Sequence, residues 1–283
     1  MIVNFRNQFS DWYKYSKLFS VYLHQSYHLT LCIFFLTAYT YRSFTHDVDW
    51  KYCIWVSLAT FLLYNYHPML HVKLKDFGHF FLRKSPMILL IILTGVIGVL
   101  LMYDDLQKLS SMFLALFITY FYFKKHPAGE RSGRDYYLYK STAIGIVYAI
   151  LTLFIPAQDV GLSVSESLLL AVGRMSFIMA LSLIFDICDI RENTDVHYPT
   201  FPEMFGIKKT KMIISALIFM SFIIETVAVW SFLTEIKSYI ALMITLFLTF
   251  ILSIMAHRYR PFWYSLLLTD SMMMVPYCII ILL

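Results

Sequence analysis

The stretch Asp186–Thr210, DICDIRENTDVHYPTFPEMFGIKKT, separates two long apolar runs at residues 168–185 and 212–232. Three aspartates and one asparagine fall within its first ten residues, directly after the first apolar run ends. Ionisable side chains are costly to place beside hydrocarbon, so at such a position they indicate a functional site. The pattern predicts two membrane-spanning helices with a polar site at the end that they share.

The composition of the whole chain favours a membrane protein of the helical class. The chain has 283 residues, of which 59% are hydrophobic and only 14% are charged, whereas about 25% of residues are charged in soluble domains. Apolar segments of roughly 17–25 residues suit helices and exclude a barrel, whose strands alternate over about 10 residues. We therefore expect one polytopic domain over residues 1–283, with the lipid bilayer as a partner and no nucleic-acid partner.

Nine apolar segments predict nine transmembrane helices. They cover residues 27–44, 52–70, 86–103, 107–123, 141–156, 164–187, 210–233, 237–256 and 262–283. Residues 1–26 mix charged and aromatic side chains without a signal-peptide pattern, and we expect them to form a cytoplasmic or interfacial arm.

The distribution of basic residues predicts the orientation of these helices. Eighteen of the 23 Lys and Arg residues fall in the N-terminal arm and alternate loops, four fall in the remaining loops, and Arg174 lies within a segment. Because cytoplasmic loops are enriched in Lys and Arg, we expect the N-terminus inside and the C-terminus on the opposite side. The acidic stretch then lies on the cytoplasmic side.

The acidic residues of the opening stretch have a spacing suited to a metal site. Asp186, Asp189 and Asn193 follow one another at i, i+3 and i+7, so they share one face if the helix continues. Carboxylate and amide oxygens suit Mg²⁺, which proteins commonly hold with one or two carboxylates plus substrate phosphates. The alternative interpretation is a solvated helix end that carries polar residues because it meets water.

Two basic stretches are candidates for binding an anionic group on the same side. One follows the second segment and contains Asn65 and Lys73, and the other, KKHPAGERSGRDYYLYK, contains Lys125, Arg134 and Lys140. Lysine and arginine side chains bind phosphate oxygens. The alternative is that these charges only anchor the helices in their orientation.

The opening stretch resembles the second aspartate-rich motif of the UbiA superfamily of intramembrane prenyltransferases. Asp186 and Asp189 occupy the first two acidic places, and Asn193 occupies the third. The remaining motif positions follow at the expected offsets, at Thr200, Pro202, Phe205, Gly206 and Thr210. The first motif of that family, NDxxDxxxD, is absent, because Tyr66, Met69 and Lys73 stand at its acidic places after Asn65.

The resemblance implies nine helices around a central cavity, and it implies two functional hypotheses. The first is a Mg²⁺-dependent prenyltransferase that moves a prenyl group from a prenyl diphosphate to a lipophilic or aromatic acceptor. Asp186, Asp189 and Asn193 would then be catalytic, the two aspartates would hold the metal, and Lys73 would replace part of the missing metal charge. The second is a relative that binds an isoprenoid or quinone-like lipid without transferring it.

Overall fold

The computed structural model describes residues 26–45, 47–66, 77–103, 106–123, 137–190, 200–231, 234–258, 260 and 264–283. Within these ranges, residues 66, 77–89, 123 and 137–139 are described by their backbone alone. The expected N-terminal arm, residues 1–26, lies outside the described residues except for Ser26.

The described residues form helices throughout and contain no β-strand. Their α-helices are α1 Tyr27–Phe44, α2 Trp50–Tyr66, α3 Phe77–Met102, α4 Leu106–Phe123, α5 Tyr137–Ala149, α6 Ile155–Asp159, α7 Val164–Cys188, α8 Phe201–Phe205, α9 Ile207–Trp230, α10 Ile236–Met255 and α11 Val275–Leu282. Two π-helical segments, Ile150–Phe154 and Tyr264–Thr269, lie between α5 and α6 and before α11. The all-helical class expected from the sequence is thereby confirmed.

Helix α7 lies at the centre, where it packs along α9 on one side and α5 on the other. Two glycines allow these close approaches. A Cβ atom on Gly145 of α5 would lie 2.7 Å from Cγ of Met179 and 3.2 Å from the carbonyl oxygen of Met175. One on Gly173 of α7 would lie 3.0 Å from Cγ2 of Ile224. Small residues at helix contacts are typical of packing in membranes.

Within the described ranges, four helical spans are long and apolar enough to cross a membrane, namely Lys140–Asp159, Val164–Cys188, Ile207–Trp230 and Ile236–Met255. In α10 the buried face carries Thr245 and Thr249, whose hydroxyls donate to carbonyls one turn back, while Phe247 is 63% exposed. Large apolar side chains on the outside and satisfied polar ones inside suit a lipid environment. The protein is therefore a multi-pass membrane protein.

Several predicted segments differ from the observed helices at their ends or in their regularity. The third helix begins at Phe77, nine residues before the predicted 86–103 segment. The fifth segment contains the Ile150–Phe154 π-helical turn, and the ninth is divided between a π-helical segment and α11. A run of apolar residues indicates which part of the chain faces lipid. It does not reveal π-helical turns within a helix, or polar helical turns that lie outside the hydrocarbon layer of the membrane.

The loops that were predicted to lie opposite the acidic stretch meet at one end of the bundle. The hydroxyl of Tyr41 donates to Oδ2 of Asp159 at 3.0 Å, and Lys108 forms an ion pair with the same carboxylate. The amide of Glu235 donates to the carbonyl oxygen of Ser43. These contacts bring the C-terminal ends of α1 and α6 together with the N-terminal ends of α4 and α10.

Candidate functional site

The candidate site is built on an ion pair between Lys140 of α5 and Asp186 of α7, at the other end of the bundle. Asp186 is 1% exposed and the lysine side chain is 21% exposed, so this pair is largely removed from solvent. One turn away, the hydroxyl of Ser182 donates to Ser141 at 3.1 Å. The two helices are thus held in register by polar contacts beside the site.

The Asp186 carboxylate has one oxygen engaged and one oxygen unsatisfied. Oδ1 accepts from Lys140, whereas Oδ2 is buried and has no hydrogen-bond partner among the described residues. Leaving a buried acceptor unpaired costs about 1–3 kcal/mol, and more when the group is charged. A donor or a cation at Oδ2 would remove this penalty.

Helix α7 ends beside this carboxylate, and further acidic groups lie near it. Cys188 is the last helical residue and Asp189 is its C-cap, so the helix does not carry the acidic spacing on to Asn193. The charges of Asp189 and Glu203 both act on Asp186. The described site therefore contains the Lys140–Asp186 pair, with negative charge from Asp189 and Glu203 acting on it.

Glu203 is a residue that we did not select from the sequence. It lies in the short helix α8, where its Oε2 accepts from both the amide and the hydroxyl of Thr200, the latter at 2.9 Å. The T-x-x-E spacing of a capping box predicts such a contact. This signal would have identified Thr200 and Glu203 as the start of a helix between the acidic turn and α9.

Gly206 separates α8 from α9 with a backbone conformation that only glycine adopts easily. Its φ is 83° and its ψ is 150°, a region that is strained for residues with a Cβ atom. After this break, Thr210 is fully buried and its hydroxyl donates to the Gly206 carbonyl oxygen at 3.0 Å. The glycine and threonine of the quoted stretch thus have a structural role in turning the chain into α9.

Basic groups lie close to the end of α7. Lys211 donates to the carbonyl oxygen of Ile254 at 2.6 Å, and Arg260 donates to that of Met255 at 2.9 Å. The positive charges of both residues reach Cys188, which directly precedes the Asp189 cap. An anion that enters this end of the bundle would therefore meet positive charge from α9 and from the chain after α10.

The remaining predicted residues divide between described and undescribed parts of the chain. Asn65 lies in the last turn of α2, where its amide group donates to the carbonyl oxygen of Phe61 at 2.8 Å. Asn193, Lys73, Lys125 and Arg134 lie outside the described residues. Lys140, the basic candidate that lies within the described residues, pairs with the acidic group.

The described ranges contain no cluster of three or more His, Cys, Asp or Glu side chains with the geometry of a metal site. This is compatible with the minimal arrangement expected for Mg²⁺, in which one or two carboxylates are supplemented by substrate phosphates. The unsatisfied Oδ2 of Asp186 is an oxygen that fits this role.

No family model, no curated protein and no solved structure matches this chain.

Proposed function

We propose that this protein is an integral membrane prenyltransferase that uses a prenyl diphosphate and a lipophilic or aromatic acceptor. In this proposal Asp186 and Asp189 hold Mg²⁺ on the diphosphate, and Lys140 contributes positive charge beside them. Nine helices surround the central cavity, with the site on the cytoplasmic side. Asn193, Asn65, Lys73, Lys125 and Arg134 belong to the same proposal as further contacts to the substrate.

The observation that supports the proposal is the state of Asp186. A carboxylate that is 1% exposed, paired on one oxygen and unsatisfied on the other is costly to keep at a helix end. Such an arrangement is expected where a ligand completes the coordination. The residue also occupies the first acidic place of the quoted motif, and the motif's glycine and threonine have the structural roles described above.

Mg²⁺ would supply Lewis-acid stabilisation of the negative charge that develops on the departing pyrophosphate. The residues present fit this ion, because Oδ2 of Asp186 has no partner among the described residues and Asp189 caps the same helix three residues further on. Lys140 would donate hydrogen bonds to phosphate oxygens of the substrate. Its ammonium group would then interact with both the substrate and Asp186.

The transfer requires one bond to break and one to form. The bond between the allylic carbon and the diphosphate oxygen breaks, and pyrophosphate leaves with the electron pair. The acceptor forms a bond to the resulting allylic cation and then loses a proton. Placing positive charge at the diphosphate lowers the barrier to the first step, because that is where negative charge increases.

A second candidate function is the binding of an isoprenoid or quinone-like lipid without transfer. It is favoured by Lys140 itself, which already neutralises Asp186 in the structure and so reduces the need for a metal. The absence of the first acidic motif, where Tyr66, Met69 and Lys73 stand, favours it as well. In this case the site would bind the polar end of the lipid and no pyrophosphate would be released.

Purified full-length protein incubated with Mg²⁺, a candidate acceptor and labelled prenyl diphosphates of several lengths separates the two functions. The measurement is the release of pyrophosphate, compared between the wild type, Asp189→Asn and Asp49→Asn. Asp49 is a suitable control, because it accepts from the amides of Lys51 and Tyr52 at the opposite end of the bundle. Asparagine supports the same type of helix-capping contact.

The transferase proposal predicts pyrophosphate release that is lost in Asp189→Asn and retained in Asp49→Asn. Saturable binding of the prenyl chain without release would support the lipid-binding function instead. If the two variants release pyrophosphate at equal rates, the acidic end of α7 takes no part in the reaction.

A further inference from the structure

Two basic side chains cover the last turn of α10, at the same end of the bundle as the acidic site. Lys211, from the second turn of α9, donates to the carbonyl oxygen of Ile254 at 2.6 Å. Arg260 folds back onto the same turn, where its Nε donates to the carbonyl oxygen of Met255 at 2.9 Å. The last carbonyl groups of a helix have no partner within that helix, so these contacts hold both cations at the end of α10.

Arg260 is held in orientation as well as in place. Its guanidinium lies 5.1 Å from the ring centre of Tyr264, whose hydroxyl donates to the carbonyl oxygen of Leu252 at 2.7 Å. The contact with Met255 uses the Nε donor alone, and arginine carries further donors on both Nη atoms. Within the described part of the chain these Nη donors have no hydrogen-bond partner. They are therefore available to the oxygen atoms of a ligand.

Lys211 and Arg260, which we call the basic pair, lie near one another without an acidic partner. The positive charge of Arg260 acts on Lys211, and neither side chain forms an ion pair with a described residue. Lys208 and Lys209 are exposed in the first turn of α9 and add positive charge to the same helix end. Because like charges repel, an anion that binds between Lys211 and Arg260 would offset an unfavourable interaction.

Apolar side chains are exposed directly beside the basic pair. Met212, which follows Lys211 in α9, is 72% exposed, and Ile254 of α10 is 58% exposed. Further along the same two helices, Phe219 and Phe247 are also exposed. Helices α9 and α10 pack against one another, and both are long and apolar enough to cross a membrane. The basic pair thus lies at the edge of a surface that faces hydrocarbon.

A ligand that matches both features carries an anionic group and hydrocarbon chains. Lysine and arginine bind phosphate oxygens, and basic residues between transmembrane helices bind the headgroups of anionic lipids. A soluble phosphate compound would match the charge alone, and a lipid without net charge would match the apolar surface alone.

We propose that the basic pair binds the phosphate of an anionic phospholipid, whose acyl chains lie along α9 and α10. This site is separate from the Lys140–Asp186 pair, and its occupancy does not depend on the transferase proposal.

The test is native mass spectrometry of the full-length protein in detergent, titrated with two lipids. Dioleoyl phosphatidylglycerol is anionic, whereas dioleoyl phosphatidylcholine has the same chains and no net charge. Lys211→Met and Arg260→Met each remove one charge, and Lys211→Arg retains it. Lys237→Met is the matched control, because Lys237 makes the same kind of contact, with the main-chain oxygen of Leu283 at 2.9 Å, beside the opposite end of α10.

The wild type should bind phosphatidylglycerol at least about tenfold more tightly than phosphatidylcholine, because two charges contribute to the difference. Lys211→Met and Arg260→Met should each weaken phosphatidylglycerol binding about fivefold and leave phosphatidylcholine binding unchanged. Lys211→Arg and Lys237→Met should bind both lipids as the wild type does. Glycerol 3-phosphate, which lacks the chains, and farnesyl diphosphate should not displace the bound phosphatidylglycerol.

Equal affinities of the wild type for the two lipids would overturn the proposal, and this comparison is informative even if a methionine variant does not fold. Phosphatidylglycerol binding that is unchanged in both Lys211→Met and Arg260→Met, or weakened equally in Lys237→Met, would overturn it as well. Displacement by glycerol 3-phosphate would assign the basic pair to a soluble phosphate compound. Displacement by farnesyl diphosphate would assign it to the prenyl diphosphate site, and either result contradicts a lipid site.

Discussion

Replacing Lys140 with methionine tests whether the Lys140–Asp186 pair holds the acidic end of α7. Methionine retains an unbranched side chain of similar length and removes the charge. It leaves the Asp186 carboxylate, at 1% exposure, with neither oxygen paired by a described residue. We therefore expect a large decrease in the free energy of unfolding, caused by the buried Asp186 carboxylate that is left without a partner.

The magnitude follows from the burial of the two partners. Removing one partner of a buried ion pair typically costs about 3–5 kcal/mol, because an uncompensated charge stays behind. Lys140 is 21% exposed, so its own desolvation is incomplete and the lower end of that range applies. We therefore expect Lys140→Met to lower the free energy of unfolding by ~3 kcal/mol.

The protein provides a matched control in a second ion pair of the described residues, Lys108–Asp159. Its side chains are 17% and 34% exposed, and exposed pairs contribute about 0–1 kcal/mol. Denaturant titration in mixed micelles would compare Lys140→Met with Lys108→Met, and the double variant Lys140→Met, Asp186→Leu should recover most of the loss. Equal losses in the two lysine variants, or no recovery in the double variant, would refute the reasoning.

Three further variants and one control, Gly95→Ala, test the packing, the backbone and a buried arginine. Gly98→Ala should lower the free energy of unfolding by about 1–3 kcal/mol, because its Cβ would clash with the Trp55 ring. Gly95→Ala, with open space around it, should be neutral or slightly stabilising, and the same denaturant titration compares the two variants. Gly206→Ala should cost about 1–3 kcal/mol because φ is 83°, and a change below that of Gly95→Ala would contradict the assigned backbone strain. Arg174→Met removes the hydrogen bond from Nη2 to the Thr40 hydroxyl and should cost about 1–3 kcal/mol, and no measurable cost would show that this contact does not stabilise the bundle.

Hydropathy predicts the bounds of a helix well where polar residues directly flank its apolar run. The predicted segment 164–187 and the helix Val164–Cys188 nearly coincide, since both ends of this apolar run are marked by polar residues. The start of α3 at Phe77 could not be obtained in the same way. Its first turns carry charged and polar residues, which look like a loop when hydropathy is the criterion.

The site was predictable as a set of residues but not as a set of contacts. Spacing selected Asp186, and loop charge selected Lys140. Their pairing depends on the rotation of α5 against α7, which the close approach at Gly145 fixes and hydropathy does not reveal. An arginine within an apolar segment can snorkel toward the surface, whereas the structure buries Arg174 beside Thr40.

The most direct test of the central claim is a binding measurement on the purified full-length protein. Farnesyl diphosphate and farnesol share a hydrocarbon chain and differ at the polar end, so their affinities compare the diphosphate contribution alone. Our account predicts that the diphosphate binds at least about tenfold more tightly, equivalent to ~1.4 kcal/mol, and that Asp186→Asn or removal of Mg²⁺ abolishes this advantage. Equal affinities for the two compounds, or a diphosphate preference unchanged by both perturbations, would contradict it.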